Sequence, residues 1–158
     1  MCDKANLVEG HGWTVEELVP HSGAMVLLDK ITSCTDSSVR AELTIKENEM
    51  FMNDGKVPSW VAIEYMAQAI GAYAGVHAKL AGEPVVVGLL IGTRKFACSI
   101  PYFLPSEKLS IAADKIHEED SGLSVFACAL DTTRGNITAN LNVFVPKDID
   151  SYMSGENV

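Results

Sequence analysis

Apolar and polar residues alternate without a break through Ser38-Val39-Arg40-Ala41-Glu42-Leu43-Thr44-Ile45-Lys46. A period of two predicts a strand with one buried face. The same pattern returns near the end of the chain, where Ile137, Ala139, Leu141, Val143 and Val145 alternate with Thr138, Asn140, Asn142 and Phe144. Residues 25–35 read as a mostly apolar strand, and residues 109–116 and 122–132 as two more. The run Val85-Val86-Val87-Gly88-Leu89-Leu90-Ile91 is apolar on both faces, which an exposed edge strand avoids. It is expected to be covered by a second copy of the chain in an isologous dimer.

Two stretches carry the helical period instead. Thr14-Val15-Glu16-Glu17 is a capping box, and Pro20 stops the short helix it starts. Residues 58–81 predict one long helix, with Pro58 suited to its first turn and Gly82 to its C-terminal cap. This helix is rich in small residues (Ala62, Ala67, Ala69, Gly71, Ala72, Ala74, Gly75, Ala78), so it can lie close to a sheet. Asn53-Asp54-Gly55 supplies turn chemistry before it. The predicted order is a small helix, two strands, one long helix and four strands. Strands grouped around a single helix predict an α+β fold in which an antiparallel sheet wraps that helix.

No repeat, low-complexity tract or Pro/Gly/Ser linker divides the 158 residues, so the expectation is one domain over 1–158, with a core at about 14–146 and flexible termini. Hydrophobic residues at 47% against charged residues at 21% exclude a disordered chain. Twelve Lys and Arg against 21 Asp and Glu leave a net charge of -9. That argues against nucleic acid as a partner, because phosphate binding needs a basic surface, and an anionic membrane would repel the chain likewise. No G-x-G-x-x-G or G-K-S/T loop is present, which removes the dinucleotide and P-loop classes. Cys2, Cys34, Cys98 and Cys128 lack metal-ligand spacing; they read as reduced, mostly buried thiols, with no metal site. The first residues have no apolar core before a cleavage site, so the expected compartment is the cytoplasm. The apolar run 60–80 carries Glu64, Gln68, His77 and Lys79, which are expensive in hydrocarbon, so it reads as a buried helix and not a membrane span.

Glu64 stands inside that apolar helix with Gln68 one turn later on the same face. A carboxylate among Trp60, Ile63, Tyr65 and Ala67 is expected to be partly desolvated, which favours its protonated form and suits a general acid; the alternative is a carboxylate idle at a solvent-facing gap. Gln68 reads either as its partner or as an amide satisfied inside the helix. Among four histidines, His21 is the candidate base, since it lies after Pro20 in a loop before the first strand. His11 and His117 read as solvated groups, and His77 as a residue near the exposed C-terminal end of the helix.

Two stretches resemble the hot-dog-fold dehydratases that act on 3-hydroxyacyl chains held by an acyl carrier protein. Val19-Pro20-His21-Ser22-Gly23-Ala24-Met25-Val26-Leu27-Leu28-Asp29-Lys30-Ile31 is similar to the segment of that family leading into its first strand. Pro58-Ser59-Trp60-Val61-Ala62-Ile63-Glu64-Tyr65-Met66-Ala67-Gln68-Ala69 is similar to the start of its central helix. A weaker likeness covers Ile91-Gly92-Thr93-Arg94-Lys95-Phe96 with Pro101 and Pro105. The resemblance spans Thr14 to Val145. The main branch of the family bears a catalytic histidine in a G-H-F-P loop before the helix; here that stretch is Phe51-Met52-Asn53-Asp54-Gly55-Lys56-Val57-Pro58, without one. The chain therefore looks like a shorter branch, linked with aryl-polyene-type pathways.

The resemblance implies a curved antiparallel sheet around one helix, a dimer or higher homo-oligomer, and sites where the carboxylate of one chain meets a histidine of the other. It implies loss of water from a 3-hydroxyacyl thioester on a phosphopantetheine arm, with acyl carrier protein or acyl-CoA as partner and no metal or redox cofactor. On that basis Glu64 is carried over by motif as the acid, while the usual base is not, and His21 is taken as the base by hypothesis. Ser59 and Trp60, with Gln68, are the expected substrate-binding residues, the backbone N–H groups near Ser59 holding the thioester oxygen. Trp60, Tyr65 and Met66 read as tunnel lining or as plain core, and Arg94 and Lys95 as contacts to the carrier or as ordinary exposed bases. Two other readings stay open: a hot-dog thioesterase, and a catalytically silent subunit that pairs with an active dehydratase.

Overall fold

The structure, a computed structural model, describes residues 5–146 and Gly155. The expected flexibility of the termini falls largely on residues outside this set, as does Cys2.

Six strands form one antiparallel sheet: β1 (Lys30–Cys34), β2 (Ser38–Thr44), β4 (Leu89–Cys98), β6 (Lys108–Glu118), β7 (Leu123–Asp131) and β8 (Asn136–Phe144), in the spatial order β1-β2-β6-β7-β8-β4. The alternation read from the sequence decides which face turns inward. Val39, Ala41 and Leu43 of β2 stand opposite Ala113, Ile111 and Leu109 of β6, and all six are buried. Phe126, Cys128 and Leu130 of β7 likewise face Leu141, Ala139 and Ile137 of β8. Cross-strand apolar pairs of this kind fix register, because a slip of one residue would turn the whole set to solvent. Two further strands of two residues each, β3 (Val57–Pro58) and β5 (Tyr102–Phe103), pair outside the main sheet.

The buried face wraps helix α2 (Ala62–Leu80), which follows a 3-10 turn at Ser59–Val61. Its 19 residues span about 29 Å at the usual rise per residue. Tyr65, Met66, Ala69, Ala72 and Val76 are fully enclosed, so Tyr65 and Met66 belong to the core. Helix α1 (Val15–Leu18) begins with the predicted capping box, Thr14 Oγ1 accepting from the Glu17 N–H at 3.3 Å while the Glu17 carboxylate accepts from the Thr14 N–H at 2.7 Å. One turn of helix has no stability of its own; α1 is held by lying on α2. Gly75 makes that crossing possible, since a Cβ there would stand 1.9 Å from the Leu18 carbonyl oxygen.

Two expected strands begin later than the apolar pattern suggested. Residues 25–29 stay out of the sheet because a 3-10 turn occupies Gly23–Met25 and the Leu27 N–H is taken by the Gln68 side chain. Among the described residues β4 pairs only with β8, and that ladder starts at Leu89 opposite Phe144, so residues 85–88 are irregular. Of the expected buried cysteines, Cys34 and Cys128 are buried and Cys98 is exposed on β4. Among the described residues, no helix is long and apolar enough to cross a membrane.

Candidate active site

The chain leaving α1 passes Pro20 and reaches His21, then turns at Gly23, whose φ of +59 lies where side chains are disfavoured. The Gly23 N–H donates to Glu16 Oε1 at 3.3 Å, tying the turn back to α1. A buried amide secures its other side. Gln68, fully enclosed in α2, accepts from the Leu27 N–H at 2.9 Å and donates to the Met25 carbonyl at 2.6 Å. The same nitrogen lies 3.1 Å from Glu64 Oε1, one helical turn back. Gln68 thus binds the loop to the helix and orients the carboxylate with one side chain.

His21 Nε2 lies 3.5 Å from the same oxygen of Glu64, with both side chains about one third exposed (31% and 33%). His21 Nδ1 is buried and has no hydrogen-bond partner among the described residues, so no carbonyl fixes the tautomer of the ring from that side. Both groups belong to one chain. The resemblance implied a carboxylate and a histidine from different chains; within the one chain described, α1 packs against α2 at Gly75 and the loop that follows brings this chain's own imidazole to Glu64.

The pair opens into a cavity of about 330 Å³. Ala67, Gly71 and Ala74 of α2 form one side, and Leu90, Phe126 and Val143 from three strands form another; Glu118 and Ser124 also line it. A second cavity of about 350 Å³ lies across the His21 loop, beside Ala24, Thr44, Lys46 and Glu49. There the Tyr65 hydroxyl donates to the Glu49 carboxylate, and burial holds Glu49 above the ordinary carboxylate range.

Ser59 and Trp60 are not among the residues lining the His21–Glu64 cavity. The Ser59 N–H donates to the Pro101 carbonyl at 3.1 Å, just beyond the β3–β5 pairs, so of the backbone donors expected to hold a thioester oxygen near Ser59 and Trp60 that one is engaged within the fold. Trp60 is 60% exposed and meets Phe51 edge to face. Gln68 is in the site, as the orienting amide and not as cavity lining. The other histidines lie elsewhere. His11 stacks on Trp13, and His117 reaches Glu119 at 3.3 Å. His77, half-buried, places Nε2 3.1 Å from the Thr35 carbonyl. Sequence reasoning missed Glu16, Gly23 and the wall residues Leu90 and Phe126, and it read Ala67, Gly71 and Ala74 only as small residues that let the helix approach a sheet. Among the described residues, no group of three or more His, Cys, Asp or Glu could hold a metal ion.

A six-stranded antiparallel sheet curled round one long helix, with a carboxylate in that helix's first turn, is the hot-dog fold. The chain belongs to the ApeP-like family, described as ApeP dehydratase, whose profile matches residues 13–154. Among solved structures, the dehydratase heterocomplex ApeI:P from Xenorhabdus doucetiae matches with a TM-score of 0.84 at 29% identity, over 92% of this chain and 99% of that one. A hypothetical thioesterase with coenzyme A from Streptococcus pneumoniae TIGR4 shares the fold at a TM-score of 0.57 and 14% identity, over 73% of this chain and 84% of that one. A search of curated proteins gives no match.

Proposed function

We propose that the chain removes water from a 3-hydroxyacyl thioester, carried on the phosphopantetheine arm of an acyl carrier protein or on coenzyme A, in fatty-acid or polyene-type biosynthesis. The single observation carrying this reading is an imidazole and a carboxylate 3.5 Å apart at the mouth of a largely apolar cavity. Neutral His21 takes the proton from C2, and the electron pair left behind forms the C2–C3 double bond. The C3–O bond breaks, and the hydroxyl leaves as water with the proton of Glu64. An imidazolium then faces a carboxylate, and one proton passing back across the contact restores both. Both transfers are made by side chains, so the scheme needs no metal or redox cofactor. The contacts from His21 and Gln68 both fall on Glu64 Oε1, so in this scheme the proton passed back from His21 arrives on Oε1.

Acid–base catalysis by a positioned side chain contributes about 10²–10⁴-fold. His21→Ala and Glu64→Gln are each expected to lower enoyl product formation by about 100-fold or more, with unchanged circular dichroism. Full turnover by His21→Ala overturns the assignment of the base. Release of free thiol in place of an enoyl absorbance makes the chain a thioesterase.

A second reading has its own support. Strand β4 ends the sheet with Leu90, Ile91 and Phe96 exposed, and one relative is described as a dehydratase heterocomplex. On this reading β4 pairs with another hot-dog chain, a copy of itself or a distinct one, and the chain shapes the site of an active partner. Purified chain that is inert alone yet co-purifies with a second dehydratase decides for it.

A further inference from the structure

Eleven of the 19 residues of α2 are buried, whereas Glu64, Ala67, Gly71 and Ala74 are only half-buried. All four line the cavity. They follow one another at intervals of three or four residues, so they form a single line along the helix. Beyond the carboxylate, nothing larger than a methyl group stands on it.

Three glycines line this cavity, and packing accounts for two of them. A Cβ at Gly122 would stand 2.2 Å from the Val145 carbonyl oxygen, and one at Gly88 would stand 3.3 Å from Val143 Cγ1. At Gly71 a Cβ would meet nothing within 4 Å, and its φ is not positive. Glycine in a helix interior is worse than alanine by about 1 kcal/mol, and neither the backbone nor the neighbours of Gly71 require it. What a side chain there would occupy is the cavity itself.

We propose that Gly71 sets how far an acyl chain can run along α2, which makes it the specificity-determining residue of the cavity. This rests on the acyl-thioester reading above. Gly71 is seven residues beyond Glu64, about 10 Å along the helix axis. A short acyl group anchored at Glu64 ends before that level, whereas a long one must lie across it. Leu90, Phe126 and Val143 of the strands are apolar, which suits a run of methylenes, while Glu118 and Ser124 are the polar groups the strand side adds to the lining.

The test is a binding ladder. Unreactive acyl-pantetheine amides from butanoyl to dodecanoyl are titrated by calorimetry into wild type, Gly71→Ala and Gly71→Leu. In wild type, affinity is expected to climb by up to about fourfold per methylene along the ladder. Gly71→Leu follows the same line for short members and then stops climbing, leaving the longest about tenfold or more weaker. Gly71→Ala binds short members as wild type does and melts ~2–4 °C higher, because no clash offsets the gain in helix propensity. Parallel ladders in wild type and Gly71→Leu overturn the assignment, as does a lower melting temperature in Gly71→Ala. A changed sedimentation mass in Gly71→Leu also overturns it, since the residue would then face a partner chain. Turnover of the matching 3-hydroxyacyl thioesters is read separately. A wild type that binds the ladder but forms no enoyl product refutes dehydration and leaves Gly71 standing, while turnover with parallel ladders refutes Gly71 alone.

Discussion

Replacing Gln68 with leucine keeps the approximate shape of the side chain and removes its amide. In the native protein that amide accepts from the buried Leu27 N–H at 2.9 Å, donates to the Met25 carbonyl at 2.6 Å and lies 3.1 Å from Glu64 Oε1. Gln68→Leu leaves the Leu27 donor enclosed and unpaired, which costs about 1–3 kcal/mol. The Met25 carbonyl sits in part-buried surroundings, where water can replace the lost donor, so it adds less. A total of about 2–4 kcal/mol is a sizeable share of a domain's stability and corresponds to a melting temperature lower by ~4–16 °C. The loop bearing His21 loses its tie to α2 at the same time, so the distance between imidazole and carboxylate is no longer held. Urea unfolding at pH 7 measures the first effect, and kcat/KM for enoyl formation measures the second. Gln68→Glu is the companion variant, since it keeps the acceptor for Leu27 but, when ionised, cannot donate to Met25 and sets a like charge beside Glu64. It should therefore unfold more easily as the pH rises. A Gln68→Leu protein with a wild-type urea midpoint and wild-type turnover refutes the claim that this amide organises the site.

The other outcomes follow from packing and charge. Gly75→Ala forces a methyl group to within 1.9 Å of the Leu18 carbonyl oxygen; the urea midpoint should fall by an amount equivalent to about 1–3 kcal/mol despite the better helix propensity of alanine. Burial alone would raise the Glu107 carboxyl, but paired donation from Arg134 (2.9 Å to each oxygen) and the Leu104 N–H holds it below the ordinary carboxylate value. A lowered folded-state pKa stabilises the protein above the unfolded value of 4.5, and this is lost as pH falls through the folded one. Glu107→Gln should thus be less stable than wild type at pH 7, with the difference closing in acid during urea titrations at a series of pH values. Alkylation at pH 8, followed by peptide mass mapping, should label exposed Cys98 ahead of Cys34 and Cys128, whose thiols burial pushes up to about 12.

The sheet was legible wherever period two persisted, as in β2 and β8, because one buried face leaves an unambiguous trace. Where a side chain or an absent neighbour replaced the ladder, composition was silent. Leu27 and Leu28 look like strand and are buried, yet Gln68 takes the Leu27 N–H. The Val85–Val87 run looks like strand, but among the described residues the ladder with β8 ends at Phe144 and leaves it without a partner strand. The bridge between β3 and β5 is too short to leave a period, and just beyond it the Ser59 N–H is engaged within the fold. Glu64 and His21 could be picked from chemistry and resemblance, but their meeting within one chain comes with the packing of α1 against α2 at Gly75, a contact between segments far apart in sequence. The cavity walls come from three strands and were out of reach for the same reason.

Imidazole and carboxylate travel together on a single polypeptide. Their number therefore scales with the number of copies of this chain, whatever else is built into the particle. Joined to an identical neighbour or to a foreign one, each copy brings its own pair intact, and exchange of neighbours can alter the surroundings of that pair without dividing it.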